Sequence, residues 1–195
     1  MSDMSPVMIP VDPDWQELRD GVRRICENFP NDYWVKLDHD SAYPTEFVDA
    51  LTEAGYLAAL IPEAFGGSGL PLSAACAVLE TIHEQGCNAA ACQAQMYTMG
   101  TVLRHGAEAQ KRKYLPGIAS GELRLQAFGV TEPTTGSDTT QLKTRAEKKG
   151  DRYIVTGQKV WTSRAMQSDL MLLLARTTPA DQVRKRSEGL SVFLV

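Results

Sequence analysis

The segment Phe128-Gly129-Val130-Thr131-Glu132-Pro133-Thr134-Thr135-Gly136-Ser137-Asp138 gathers groups that can grip a polar ligand. Thr131, Thr134, Thr135 and Ser137 supply hydroxyls, the glycines let backbone N–H groups turn toward one point, and Pro133 fixes the path of the chain. Such a loop can hold a phosphate or the polar edge of a heterocycle; its composition also suits a polar turn between strands. Further on, Trp161-Thr162-Ser163 sets a large aromatic beside two hydroxyls, and by itself that tryptophan reads as a core residue. Arg184-Lys185-Arg186 suits either a phosphate or a solvated loop. His39, His83 and His105 stand apart, with no triad context, and read as surface or capping residues. Cys26, Cys76, Cys87 and Cys92 form no CxxC pair and no zinc spacing with histidine, so they read as reduced core thiols, and no metal is expected.

The elements that must position these groups change character at Gly121. Asp12 can cap a helix with Pro13 in its first turn and Trp15, Leu18, Val22, Ile25 and Phe29 on one face. A second helix starts near Pro44 and Thr45, carries Phe47, Val48 and Leu51, and stops at Gly55; a third carries Ala75, Cys76, Leu79 and Ile82 and ends near Gly86. The run 88–105 is small, apolar and nearly uncharged all round, which predicts a helix buried on every side. A short cationic helix over 107–114 follows, closed by Pro116. After Gly121 the period becomes 2, with Leu123, Leu125 and Ala127 alternating with Arg124, Gln126 and Phe128. Further β-like runs fall at 142–148, 152–156, 159–162, 170–177 and 190–195, with Lys149-Gly150-Asp151 as a hairpin tip. The expected fold class is α+β: an all-α helical bundle over 1–121, then a β-sandwich or barrel-like domain over 122–195. The closing run Leu190-Ser191-Val192-Phe193-Leu194-Val195 is an apolar strand with no protecting charge, so the chain is expected to be the front of a longer protein, truncated within its β domain.

With 195 residues, 43% hydrophobic and 23% charged, the chain falls in the soluble globular class. A net charge of −4 argues against nucleic acid as a partner. No apolar run approaches the roughly 20 residues of a membrane span. The first fifteen residues contain neither lysine nor arginine nor a signal core, so a cytoplasmic location is expected.

From about Trp15 to Val195 the sequence resembles the acyl-CoA dehydrogenase family. In the helical half the resemblance rests on Ile61-Pro62-Glu63-Ala64-Phe65-Gly66-Gly67-Ser68-Gly69 and on the stretch from Gly106 through Gln110-Lys111-Arg112-Lys113-Tyr114-Leu115-Pro116 to Gly121-Glu122. In the β half it rests on Val130-Thr131-Glu132-Pro133, Gly136-Ser137-Asp138, Gly157-Gln158-Lys159 and Trp161-Thr162-Ser163. It implies a helical domain, a central β domain and a second helical domain, with FAD between the β domain and the helices.

The resemblance further implies that Phe128 to Ser137 is the first flavin-binding segment, with Val130 and Thr131 near the pyrimidine end of the ring and Gly136 and Ser137 near phosphate. Ser137 is also where the family commonly meets the acyl-CoA. Trp161, Thr162 and Ser163 fall on the second flavin segment, the indole beside the isoalloxazine and a hydroxyl at its N5 edge. Hydride passes from the substrate β-carbon to N5, so the ring must be held flat and dry, which an aromatic wall achieves. Gln95, Met96, Met99, Gly100 and Leu103 approach the acyl-chain pocket by the same resemblance, with a plain helix-bundle core as the alternative. The family's catalytic base is a glutamate expected beyond Val195, so no catalytic residue is assigned. Thr134 and Thr135 stand where the family usually has very small residues, Thr162 where an aliphatic residue is frequent, and Arg164 where Asn or Gly is usual. The expected activity is FAD-dependent α,β-dehydrogenation of an acyl-CoA thioester, with an electron-transferring flavoprotein as acceptor and a homodimer or homotetramer as the assembly. The alternatives are an acyl-CoA oxidase or a flavin monooxygenase of the same fold, or a non-catalytic flavin or acyl-CoA binding protein.

Overall fold

The apolar spacing of the first helix becomes α1 (Gln16–Cys26), whose Val22 and Cys26 are buried. A computed structural model describes residues 15–195, and the expected cap at Asp12 and Pro13 lies outside the described residues. On the same face of α1, the terminal nitrogens of the buried Arg19 guanidinium pair with Glu80 and donate to the Thr81 hydroxyl of α4 (Leu72–Glu84), while its Nε has no partner. A helix that the sequence reading did not anticipate, α2 (Asn31–Asp40), buries no residue fully. It is held by aromatic edges instead, Tyr33 against Phe29 and Trp34 against Phe47, both at 5.0 Å between ring centroids. α3 (Thr45–Glu53) buries Phe47, Val48 and Leu51 and gives way to Gly55 at φ 79, as expected. In the glycine-rich loop that follows, a Cβ on Gly67 would lie 2.1 Å from the Ile61 carbonyl oxygen, so only glycine fits.

α5 (Ala90–His105) corrects the expectation of a helix buried all round. Ala91, Cys92, Ala94, Gln95, Met96, Thr98, Met99 and Val102 are buried, whereas Tyr97 and Arg104 are exposed and Gly100, Thr101 and Leu103 are half-buried. Small uncharged residues serve a face that lines a groove as well as one that lines a core. α6 (Glu108–Ser120) also differs, running through Pro116 instead of closing before it. Continuing the helix buries Leu115 and Ile118 completely, which outweighs the missing proline N–H.

The strands are β1 (Leu125–Gly129), β2 (Arg145–Lys149), β3 (Arg152–Thr156), β4 (Leu170–Arg176) and β5 (Leu190–Leu194). They form one mixed five-stranded sheet, the partial β domain of the expected α+β fold. β4 is its spine: β1 runs parallel along one edge, β2 meets the end of that edge at Arg145↔Arg176, and β5 runs antiparallel along the other. β2 and β3 form the anticipated hairpin, pairing Lys149 with Arg152 around Gly150 at φ 64. The expected strand at 159–162 is absent, since this stretch is irregular and makes its bonds to a loop. Gln126, placed on the polar side of β1 by the alternation, is fully buried; its amide accepts from the Tyr43 hydroxyl at 2.7 Å and donates to Gln95 Oε1 at 3.2 Å.

One core lies among the helices around Val22, Phe47, Leu51, Val78 and Ile82. A second joins helices to sheet through Ile61, Met99, Leu115 and Ile118 with Leu125 and Leu172. Cys26, Cys87 and Cys92 are buried free thiols, whereas Cys76, expected in the core, is exposed on α4. Among the described residues no group of three or more His, Cys, Asp or Glu is arranged to hold a metal ion, and no helix is long and apolar enough to cross a membrane.

Candidate functional site

The chain leaves β1 into a tight loop. The Glu132 and Thr135 backbones exchange hydrogen bonds of 2.9 and 3.1 Å, which folds Pro133 and Thr134 into a two-residue turn. Beneath it the Glu132 carboxylate is buried. It accepts from the N–H groups of Lys143 at 2.6 Å and Thr144 at 2.8 Å, and from Lys159 Nζ at 3.0 Å. Burial alone would raise this carboxyl, but the donors from Thr144, Lys143 and Lys159 prevail and hold it down at about 2.

Lys159 also donates to the Val130 carbonyl at 3.0 Å, and the Val160 N–H donates to the Thr131 carbonyl at 2.9 Å. The two segments singled out in the sequence are thereby bonded edge to edge. Gly157 makes the approach possible, because a Cβ there would come 2.3 Å from Thr144 Oγ1. The far end of the loop is tied by the Asp138 carboxylate, which accepts from Thr140 and Gln141 and is lowered by those bonds. Buried Arg176 donates to the carbonyls of Thr140 at 2.7 Å and Glu188 at 3.2 Å, and Arg186 of the basic run reaches Asp138 at 4.0 Å.

Trp161 has a left-handed backbone, φ 60, and is 87% exposed, so it is not a core aromatic among the described residues. The Ser163 N–H folds back onto the Trp161 carbonyl at 2.9 Å. Thr162 is half-buried and Ser163 exposed; in the loop, Val130 and Thr131 are half-buried while Gly136 and Ser137 are exposed. Phe128 is half-buried with its ring 6.1 Å from that of Tyr97, which connects the start of the loop to the open face of α5. On that face a groove of about 490 Å³ is lined by Leu60, Met96, Tyr97, Gly100, Leu103 and others.

Of the five α5 residues in the acyl-pocket expectation, Met96, Gly100 and Leu103 line this groove. Gln95 and Met99 do not: Gln95 bonds Gln126 in the interior, and Met99 sits in the second core. Their positions follow from helical geometry, which turns them toward β1 while 97, 100, 101 and 104 share the outer face. Tyr97 was missed, although its spacing of three, four and seven to Gly100, Thr101 and Arg104 already marked that face. Lys159 and Glu132 were read only as members of motifs.

The site joins an exposed indole, hydroxyls and a restrained main chain, a set that fits a flat heterocycle carrying a polar edge and a phosphate. The acyl-CoA dehydrogenase N-terminal domain matches residues 12–122, and the acyl-CoA dehydrogenase middle domain matches residues 127–195. The chain is 37% identical over 186 residues to glutaryl-CoA dehydrogenase of Desulfococcus multivorans, covering 92% of this chain and 45% of that protein. It is 36% identical over 188 residues to (2S)-methylsuccinyl-CoA dehydrogenase of Cereibacter sphaeroides, covering 94% and 33% respectively. Among solved structures, acyl-CoA dehydrogenase from Geobacillus kaustophilus superposes with a TM-score of 0.85 at 26% identity, over 95% of this chain and 48% of that one. The chain thus spans less than half the length of these relatives. Both domain matches run in order through the helices, the loop and the tryptophan turn, and the chain belongs to the acyl-CoA dehydrogenase family.

Proposed function

We propose that the protein of which this chain forms part uses FAD to introduce an α,β double bond into an acyl-CoA thioester and passes the electrons to an electron-transferring flavoprotein. The observation that carries the reading is the bonded pair of segments at Thr131 and Val160, which joins the main chain leading into the exposed Trp161 to the hydroxyl-bearing loop. When bound, FAD would supply the hydride acceptor. Thr131 and the neighbouring main chain would bind its polar edge, Gly136 and Ser137 its phosphate, and Trp161 one face of its ring, with Thr162 and Ser163 at its rim. The Tyr97 to Leu103 face of α5 would take the acyl chain and keep water from it. No residue of this chain is assigned the proton abstraction. A cytoplasmic, homo-oligomeric enzyme is the setting this reading assumes.

Absorbance of the purified full-length protein tests it. A yellow protein whose flavin is bleached by an acyl-CoA is the expected result. A colourless protein that takes up no added FAD would overturn the proposal.

A further inference from the structure

Three cysteines that the flavin reading does not use lie in one core cluster: Cys26 at the end of α1, Cys87 in the connection from α4 to α5, and Cys92 in the first turn of α5. We propose that Cys26 and Cys87 form a reversible disulfide when a hydroperoxide oxidises Cys87, a modification that fastens the end of α1 to the entrance of α5. The Cys87 Sγ rests 4.0 Å from the Cys26 carbonyl oxygen and 3.9 Å from that of Phe29, so it sits against the last turn of α1. The Cys26 thiol is pushed up to about 12, first by burial and then by the Cys87 thiol, which it meets side chain to side chain. Cys92 adds a smaller push through charge.

Both residues are buried, yet each borders a cleft. Cys87 lines one of about 580 Å³ with Trp34, Asp38 and His83, and Cys26 lines one of about 240 Å³ with Phe29, Trp34 and Gln85. Trp34 of α2 thus walls both. α2 buries no residue fully, and its Trp34 indole N–H shares the Phe29 carbonyl with the Cys87 thiol, at 3.1 and 3.9 Å. Local opening of so lightly anchored a helix bares Cys87 while the core between α1 and α4 stays closed. Gly86, at φ 76 with open space where a Cβ would stand, gives the connection room to turn.

The chemistry balances in two steps. The Cys87 sulfur attacks the O–O bond of the hydroperoxide; an S–O bond forms, and the departing alcohol carries off the thiol proton. The Cys26 sulfur then attacks Cys87 Sγ; the S–S bond forms, the S–O bond breaks, and the hydroxyl leaves with the Cys26 proton as water. The two sulfurs together lose the two electrons that reduce the peroxide. Burial of the Cys26 thiol suits it to this second role, because a thiol held so far up is a poor nucleophile toward an oxidant from solution. The two cysteines stand 61 residues apart, so the bridge closes a long loop and stabilises chiefly by constraining the unfolded chain.

The test uses the full-length protein, treated with hydrogen peroxide, alkylated in denaturant and digested for mass spectrometry. The wild type should yield two peptides joined through Cys26 and Cys87 that dithiothreitol separates, and its Tm should rise by about 2 to 8 °C on oxidation. Cys26→Ser and Cys87→Ser should lose both effects, whereas Cys76→Ser and Cys92→Ser should keep them. The wild-type peptides decide even where a variant fails to fold. Free thiols at both residues after treatment, sulfinic acids in place of the bridge, or a bridge to Cys76 or Cys92 instead would each overturn the proposal. A bridge that forms only in protein unfolded with urea before oxidation also overturns it, and one that leaves Tm unchanged refutes the fastening of α1 to α5. None of these readouts depends on flavin or acyl-CoA, so the outcome stands apart from the proposed activity.

Discussion

Replacing Glu132 with glutamine keeps the shape of the side chain beneath the turn at Pro133 and Thr134 and removes its charge. The carboxylate it removes meets two N–H groups and the Lys159 ammonium, and its side chain is 4% exposed, so water cannot substitute. Two estimates of the loss agree. Removing one partner of a buried ion pair costs about 3 to 5 kcal/mol, because the other charge stays buried. Holding the carboxyl at about 2 against an ordinary 4.5 corresponds to about 3 kcal/mol at neutral pH.

The pH dependence fixes the cause. A carboxyl lowered by folding contributes fully above its unfolded value of 4.5, and the contribution disappears as pH falls through about 2. Urea unfolding of wild type and Glu132→Gln should therefore differ by about 3 kcal/mol at pH 7 and by less than half of that at pH 3. A difference that stays constant between these pH values would refute the ionised clamp and leave only a packing role for Glu132.

Trp161→Ala should weaken FAD binding by roughly 10- to 100-fold while changing the stability of the apo protein by less than about 0.5 kcal/mol, since the indole is 87% exposed; equal losses of stability with and without FAD would contradict this. Gly157→Ala should destabilise the chain by about 1 to 3 kcal/mol in thermal unfolding, because its methyl collides with Thr144, and a neutral result would show that the two segments can part freely. A thiol reagent at neutral pH should label Cys76 rapidly and leave Cys26 and Cys92 untouched until unfolding, as burial pushes both of the latter up to about 12; rapid labelling of all the cysteines would contradict that burial.

Regular apolar spacing was legible where one face of an element is buried, as with Val22 in α1 and Leu51 in α3, whereas the hairpin around Gly150 was legible from its turn residues, since β3 is exposed throughout. α2 escaped because its aromatic residues pack edge to edge around Phe47 without any becoming fully buried, so no periodic stripe marks it. Pro116 misled for the opposite reason: a local breaking signal was overruled by the burial of Leu115 and Ile118. Both segments of the candidate site could be read as motifs, but their union could not. The Glu132 to Lys159 pair joins residues 27 apart in the chain, beyond any local period. Gln126 shows the same limit, since its polarity is spent on Tyr43, between α2 and α3, and on Gln95 of α5.

The two domain matches meet between residues 122 and 127, yet the second core crosses that seam, with Leu125 and Leu172 of the sheet enclosed by Ile61, Met99, Leu115 and Ile118 of the helices. Homology units and cooperative units therefore do not coincide in this chain. A cut at the seam would bare both halves of one apolar cluster, so helices and sheet should melt together as a single foldon. A ligand gripped only by the loop of the β half would then protect amides deep in α5 and α6 against hydrogen exchange, because opening either half means opening the shared core.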